Sequence, residues 1–143
     1  MALYFMGMLS ILVVYLDCRY RRIPNNLCVI ILIVSLYLTI EGNNISLHFL
    51  SGLIIFSSTT ILFKFNIFGA GDSKLATAYS IALLPNEVID AVILTLFIGG
   101  LLSVFYLIKD RLILKKARAD ECGLPYGLAI SFGFYITIIN NSI

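Results

Sequence analysis

Uncharged, mostly apolar runs alternate with short polar connections along almost the whole chain. A helix that spans a lipid bilayer needs about 20 predominantly apolar residues, and most of these runs approach that length. The runs are Met1–Leu16, Leu27–Ile40, Ile45–Phe63, Leu75–Leu84, Ala91–Ile108 and Leu124–Ile139. The pattern therefore predicts an all-α fold with six transmembrane helices.

Two of the runs need interpretation. The first has no basic residues before it and no small-residue cleavage site, and it leads directly into Asp17, so we interpret it as a retained helix and not a signal peptide. The fourth has only about ten residues before Pro85, a length that also suits a re-entrant segment. We predict that this helix crosses the membrane, either by extending a few residues past Pro85 or because its neighbouring helices tilt. The second helix can begin at Pro24, because proline suits the first turn of a helix.

The composition places the chain in the membrane class. Hydrophobic residues make up 60% of the 143 positions and charged residues only 13%, whereas about a quarter of a soluble domain is charged. Six spanning helices would use roughly 120 residues, which leaves no room for a soluble domain. We predict one transmembrane domain over residues 1–143, with the lipid bilayer as a partner and no nucleic acid.

The basic residues indicate the orientation. All ten lie in the first, third and fifth connections, and the second and fourth contain only acidic charges. The basic residues are Arg19, Arg21, Arg22, Lys64, Lys74, Lys109, Arg111, Lys115, Lys116 and Arg118. Because basic loops stay in the cytoplasm, we predict six crossings with both termini extracytoplasmic. Five crossings with a re-entrant fourth segment remain the alternative.

Two aspartates stand out at the edges of apolar helices. Asp17 lies near the end of the first helix and Asp72 near the start of the fourth, so the predicted topology places both at the cytoplasmic face. An ionisable residue in such a segment indicates a functional site by default. Paired carboxyl groups can hydrolyse a peptide bond, because one ionises and activates water while the other stays neutral and polarises the carbonyl. Which of the two holds the proton is open at this point.

The residues around these aspartates form a recognisable set. Asp17 is followed by Pro24 and Asn25, Asp72 lies in Gly-Ala-Gly-Asp-Ser-Lys, and the last helix opens with Pro-Tyr-Gly. In this order the motifs resemble the type IV prepilin peptidase family, and most of all the short members that serve Flp-type (tight-adherence) pili. The resemblance implies a GxGD-type intramembrane aspartic endopeptidase of the cytoplasmic (inner) membrane, which cuts the leader from a prepilin or pseudopilin at the cytoplasmic face.

The resemblance also implies residue roles. Asp17 and Asp72 would be catalytic, without a cofactor or a metal. The motif residues expected to support them are Pro24, Asn25, Gly69, Gly71, Lys74, Pro125 and Gly127. Longer family members carry a soluble N-terminal segment with Cys-x-x-Cys pairs and methylate their product. This chain has only Cys18, Cys28 and Cys122, without such a pair, so zinc binding and methyl transfer are not expected.

Each feature also has a simpler explanation. Asp17 could pair with Arg21 or Arg22 at the interface, and Asp72 could be the N-cap of the fourth helix. Lys74 could influence Asp72 or extend to the interface. His48 is expected to have a headgroup or packing role.

Two rival functions remain. The chain could be a non-catalytic assembly subunit of a pilus or secretion system, or a proton-coupled transporter, although transporters usually place their ionisable residues near mid-membrane. Its oligomeric state is left open.

Overall fold

The computed structural model describes residues 1–41, 45–109 and 125–142, with no account of the side chains of residues 41 and 142. These residues form six helices, which confirms the all-α prediction for the described part of the chain. The helices are α1 (Ala2–Tyr20), α2 (Asn25–Glu41), α3 (Ile45–Lys64), α4 (Ala70–Ser80), α5 (Pro85–Ile108) and α6 (Tyr126–Ser142).

Three helices, α1, α3 and α5, are long and apolar enough to cross a membrane, and α2 is apolar but shorter. Many large apolar side chains on the helices point outward, such as Leu53 on α3 and Phe97 on α5. Exposed apolar surface of this extent is typical of a membrane-embedded protein. Six crossings and extracytoplasmic termini remain predictions.

Prolines set the starts of three helices. The Pro24 carbonyl accepts hydrogen bonds from the N–H groups of Leu27 and Cys28, so α2 begins at Asn25, one residue later than predicted. Pro85 is the first residue of α5, and Pro125 directly precedes α6. Proline is favoured at these positions because its missing N–H would be unpaired there anyway.

The predicted extension of the fourth helix past Pro85 is wrong. The helix α4 ends at Ser80, a turn follows, and Pro85 starts α5. Inside a helix the proline ring would clash with the carbonyl of residue i−4, which is Ile81. The chain turns instead, and the Ile81 carbonyl accepts a hydrogen bond from the Thr39 hydroxyl at 2.7 Å.

His48 contributes to the same turn. Its Nδ1 lies 3.1 Å from the Ile81 carbonyl oxygen, a hydrogen bond that requires the proton on Nδ1. This oxygen thus has partners from both α2 and α3, as a buried carbonyl outside a helix needs. Of the headgroup and packing roles expected for His48, this hydrogen bond supports the second.

The short helix α4 lies in the centre of the bundle. The other helices pack in the order α1, α2, α3, α5, α6 and back to α1, and α4 contacts α2, α3 and α6. Its Leu75 and Tyr79 side chains are fully buried. A helix surrounded by protein does not have to cover the thickness of the bilayer alone, which is consistent with its 11 residues.

A polar cluster in the interior joins three of these helices. The Tyr79 hydroxyl of α4 lies 2.6 Å from the Ser10 hydroxyl of α1, and the Tyr79 ring stacks on Phe134 of α6 with ring centres 6.2 Å apart. Ser10 donates its proton to the Met6 carbonyl at 2.9 Å. A hydroxyl has only one proton, so Tyr79 must donate to Ser10. We call Ser10, Tyr79 and Phe134 the closed layer.

Candidate active site

Asp17 is a buried carboxylate, only 7% exposed, three residues before the end of α1. The backbone N–H of Gly127 donates to its Oδ2 at 2.8 Å, and the backbone N–H of Leu128 also points to it. Both donors belong to the first turn of α6, where N–H groups have no partner inside the helix. The start of one helix therefore fixes the carboxylate of another, an arrangement that helix N-termini favour for anions.

Gly127 allows this approach because it has no side chain. A Cβ atom at this position would lie 2.7 Å from Asp17 Oδ2 and 3.0 Å from Ile23 Cδ1. Real Cβ atoms do not come as close to an oxygen as the first of these distances. The close contact with Asp17 thus explains why the Pro-Tyr-Gly motif has a glycine at this position. The sequence alone indicated only a turn there.

Asp72 lies in the first turn of α4. The explanation of Asp72 as the N-cap is wrong, because Gly69 occupies that position with extended backbone angles, and its carbonyl accepts the N–H of Ser73 at 3.0 Å. Asp72 reaches back to the N–H of Gly69, as acidic residues at the third helical position do. A Cβ atom on Gly69 would lie 2.7 Å from Asp72 Oδ2, so this residue too must lack a side chain.

Both carboxylates open into one cavity of about 490 Å³. The two aspartates are close enough for their charges to interact. The cavity lining comprises two carboxylates, two arginines, two glycines, one aliphatic and one aromatic residue: Asp17, Asp72, Arg21, Arg22, Gly69, Gly71, Ile23 and Tyr126. Asp17, Asp72 and Gly127 are called the open layer below.

The Ile23 side chain fills the space between the two motifs. A Cβ atom on Gly71 would lie 3.7 Å from Ile23 Cβ, and the same side chain borders Gly127. The connection between α1 and α2 therefore contacts the starts of both α4 and α6. This explains why the segment around Pro24 belongs to the site although it carries no reactive group.

Lys74 does not approach Asp72. Its Nζ donates to Asn25 Oδ1 at 3.0 Å on the exposed side of the bundle. On a helix, residues two positions apart do not share a face, which explains the separation from Asp72. Lys74 and Asn25 together link the start of α4 to the start of α2.

The ion pair considered for Asp17 receives no support. Arg21 exerts an electrostatic influence on Asp17, but within the described ranges neither arginine forms an ion pair with it. Arg21 ends α1 in the left-handed conformation (φ 53°), and its guanidinium lies 5.6 Å from the centre of the Tyr106 ring. Such a backbone conformation is uncommon for a residue other than glycine. This turn directs Arg21 and Arg22 to the rim of the cavity.

The sequence prediction missed several features of the site. Tyr126 was quoted only as part of a motif, yet its ring lines the cavity and lies 6.1 Å from Phe68 between centroids. Cys122 and the basic residues from Arg111 to Arg118 fall outside the described residues. Among the described residues no group of three or more His, Cys, Asp or Glu could hold a metal ion. Cys18 and Cys28 are free thiols.

Comparison with known proteins gave one family. The model of the type IV leader peptidase family matches residues 3–104, more than two thirds of the chain. The matched region contains Asp17 and Asp72 and ends before α6. No curated protein and no solved structure matches the chain.

Proposed function

Because the chain belongs to the type IV leader peptidase family, we propose that it is an aspartic endopeptidase with Asp17 and Asp72 as its catalytic groups. Membership of the family implies a peptidase with prepilins as substrates in general. The observation that supports the residue assignment is the single cavity of about 490 Å³ into which both carboxylates open.

The proposed chemistry needs only these two groups and water. The ionised carboxyl group takes a proton from a water molecule, whose oxygen attacks the peptide carbonyl, while the neutral carboxyl group donates a hydrogen bond to the carbonyl oxygen. The C–N bond then breaks and the leaving amine accepts a proton from the pair. Backbone donors hold Asp17 and Asp72, so both carboxylates are oriented before substrate arrives.

We place the site at the cytoplasmic face of the cytoplasmic membrane. Arg21 and Arg22 line the cavity and Lys109 joins Arg21 at the ring of Tyr106, so the basic ends of α1 and α5 meet beside the carboxylates. Asp90 lies near the start of α5, at the opposite end of this helix. The positive-inside rule supports a cavity that opens to the cytoplasmic face.

The substrate would be a Flp-type prepilin, cleaved immediately before its hydrophobic segment. Co-expression with such a prepilin in cells lacking other leader peptidases tests the proposal through the size of the pilin on a gel. We expect Asp17→Asn and Asp72→Asn each to lower cleavage by about 10³-fold or more, because an amide can neither accept the water proton nor donate a carboxyl proton. Asp90→Asn, far from the cavity, serves as the matched control and should cleave normally.

The same variants separate the rival functions. A non-catalytic assembly subunit or a proton-coupled transporter would leave prepilin processing independent of both aspartates. Normal cleavage by either asparagine variant, at membrane levels equal to the wild type, would refute the paired-carboxylate mechanism. We also expect no methyl group on the new amino terminus, which mass spectrometry of the mature pilin can check.

A further inference from the structure

An apolar groove of about 420 Å³ runs along the outer side of the contact between α1 and α6. Its walls include the exposed side chains of Met8, Ile11 and Phe132. Small residues, Gly7, Ser10 and Ser131, lie among its lining residues. The closed layer forms part of its inner boundary, since Ser10 belongs to both.

One end of the groove lies about one helical turn from the residues that hold the Asp17 carboxylate. Val14, at one end, precedes Asp17 by one helical turn, and Ser131 follows Gly127 by one turn. The Asp17–Gly127 hydrogen bond joins the same two helices beyond this end. From Tyr4, at the other end, the groove extends about 15 Å to Val14 and about 20 Å to the level of Asp17.

We propose that this α1–α6 groove holds the hydrophobic helix of the substrate that directly follows the bond to be cut. The inference rests on the proposed function, because a prepilin places its apolar helix immediately after the leader. With the scissile bond between Asp17 and Asp72, about 13 residues of that helix would fit between Asp17 and Tyr4 at 1.5 Å per residue. The small residues of the groove are buried, and Tyr135 covers Gly7. The substrate helix would therefore pack against the exposed apolar side chains of Met8, Ile11 and Phe132.

Two other grooves on the described surface are less suited. One of about 330 Å³ beside α2 and α4 is bordered by Lys74 and Asn25, whose hydrogen bond occupies the end nearest the site. Another of about 480 Å³ between α5 and α6 contains Asp90 and Asn140, at the end of the bundle away from the carboxylates. A continuous apolar helix would have to bury these polar groups.

Site-directed photo-cross-linking tests the proposal. A photoreactive phenylalanine analogue replaces Met8, Ile11 or Phe132 in the full-length Asp72→Asn variant, which is co-expressed with a Flp-type prepilin. Matched controls carry the same analogue at Leu53, Phe97 or Val29, which are 64%, 64% and 55% exposed, compared with 63% for Met8. We expect prepilin adducts at the groove positions and only background at the controls.

Adducts concentrated at Val29, or equal at all positions, would overturn the groove assignment, as would labelling of lipid alone at the groove positions. Leader cleavage by the wild type is scored separately. Cleavage with cross-links elsewhere rejects the groove and keeps the peptidase, whereas absence of cleavage rejects the peptidase itself.

A blocking substitution gives a second test. Val14→Trp would fill the end of the groove beside Asp17, so we expect the KM for prepilin to rise about tenfold, whereas Val29→Trp should leave it unchanged. An unchanged KM in a variant that accumulates normally would contradict the proposal. If Val14→Trp does not accumulate, Ile11→Trp replaces it, because Ile11 is 69% exposed and tolerates a larger side chain.

Discussion

Two layers of residues on α1, α4 and α6 differ in whether side chains fill the space between the helices. The open layer contains Asp17, Asp72 and Gly127, and the closed layer contains Ser10, Tyr79 and Phe134. On α1, α4 and α6 alike, the members of the two layers are seven residues apart. Two helical turns, about 10.5 Å, therefore separate them.

Side chains in contact with one another fill the interior of the closed layer. Tyr79 is fully buried, hydrogen-bonded to Ser10 and stacked on Phe134. The open layer has polar groups on the same helix faces but a cavity of about 490 Å³ between them and no side chain on Gly127. The comparison indicates that contacts in one layer fix the spacing of the helices, so the other layer can keep its carboxylates oriented around an unfilled space.

Among the tests of this comparison between the layers, the largest effect is expected from filling the space of the open layer. In Gly127→Ala the new Cβ would collide with Asp17 Oδ2, and a displacement of about 1 Å at a catalytic group can cost about 10²-fold in rate. We expect that loss in kcat for prepilin cleavage, with normal accumulation in the membrane. Gly100→Ala is the control, because a Cβ there would meet no described atom within 4 Å beyond its chain neighbours and its own helix backbone. Equal activity of the two variants would show that the close approach to Asp17 has no catalytic importance.

A smaller effect is expected from the closed layer. Tyr79→Phe removes the hydrogen bond to Ser10 but keeps the ring on Phe134, and bonds of this kind in membranes contribute about 0.6 to 1.7 kcal/mol. We expect a lower midpoint of thermal unfolding in detergent and cleavage within about threefold of the wild type. Ser57→Ala, which loses only an exposed bond within α3, should unfold like the wild type. A Tyr79→Phe protein as stable as the wild type would argue against a spacing role for this layer.

The smallest effect is expected from the hydrogen bond between Lys74 and Asn25, which lies beside the open layer. Lys74→Met and Asn25→Ala each remove the exposed hydrogen bond between α4 and α2, which is worth about 0.5 kcal/mol or less. A double-mutant cycle on unfolding should give a coupling energy of that size, and cleavage should change little. A loss of cleavage as large as that of the Asp72→Asn variant would instead indicate that Lys74 acts on the reaction.

The sequence alone was enough to predict the six helices seen in the described residues, because polar connections separate apolar runs of nearly sufficient length. It also identified the two carboxylates that share the cavity, since charged residues are rare in such runs. The end of α4 was predicted wrongly because apolar character continues through Leu84, and only the packing of Thr39 on the Ile81 carbonyl reveals that the chain turns earlier.

Other parts of the site depend on contacts between distant segments. No local pattern indicates that Gly127 donates to Asp17, 110 residues away. The spacing of seven from Asp17 back to Ser10, and from Asp72 on to Tyr79, was present in the sequence and could have suggested a second layer. The sequence does not show how α1, α4 and α6 are oriented relative to one another. Without that orientation, equal spacings on three helices do not predict that their residues form common layers.

The position of Asp17 near the end of its helix has a consequence for the substrate. Asp17 lies three positions, about 4.5 Å of helix, before the last residue of α1. Hydrolysis requires an extended peptide, and extending a helix in hydrocarbon would leave N–H and C=O groups unpaired at several kcal/mol each. With the carboxylates this close to the edge of the bundle, only the first turn of the prepilin helix has to unwind, and water can pair the groups that are released. The remainder of that helix can stay folded in lipid throughout the reaction.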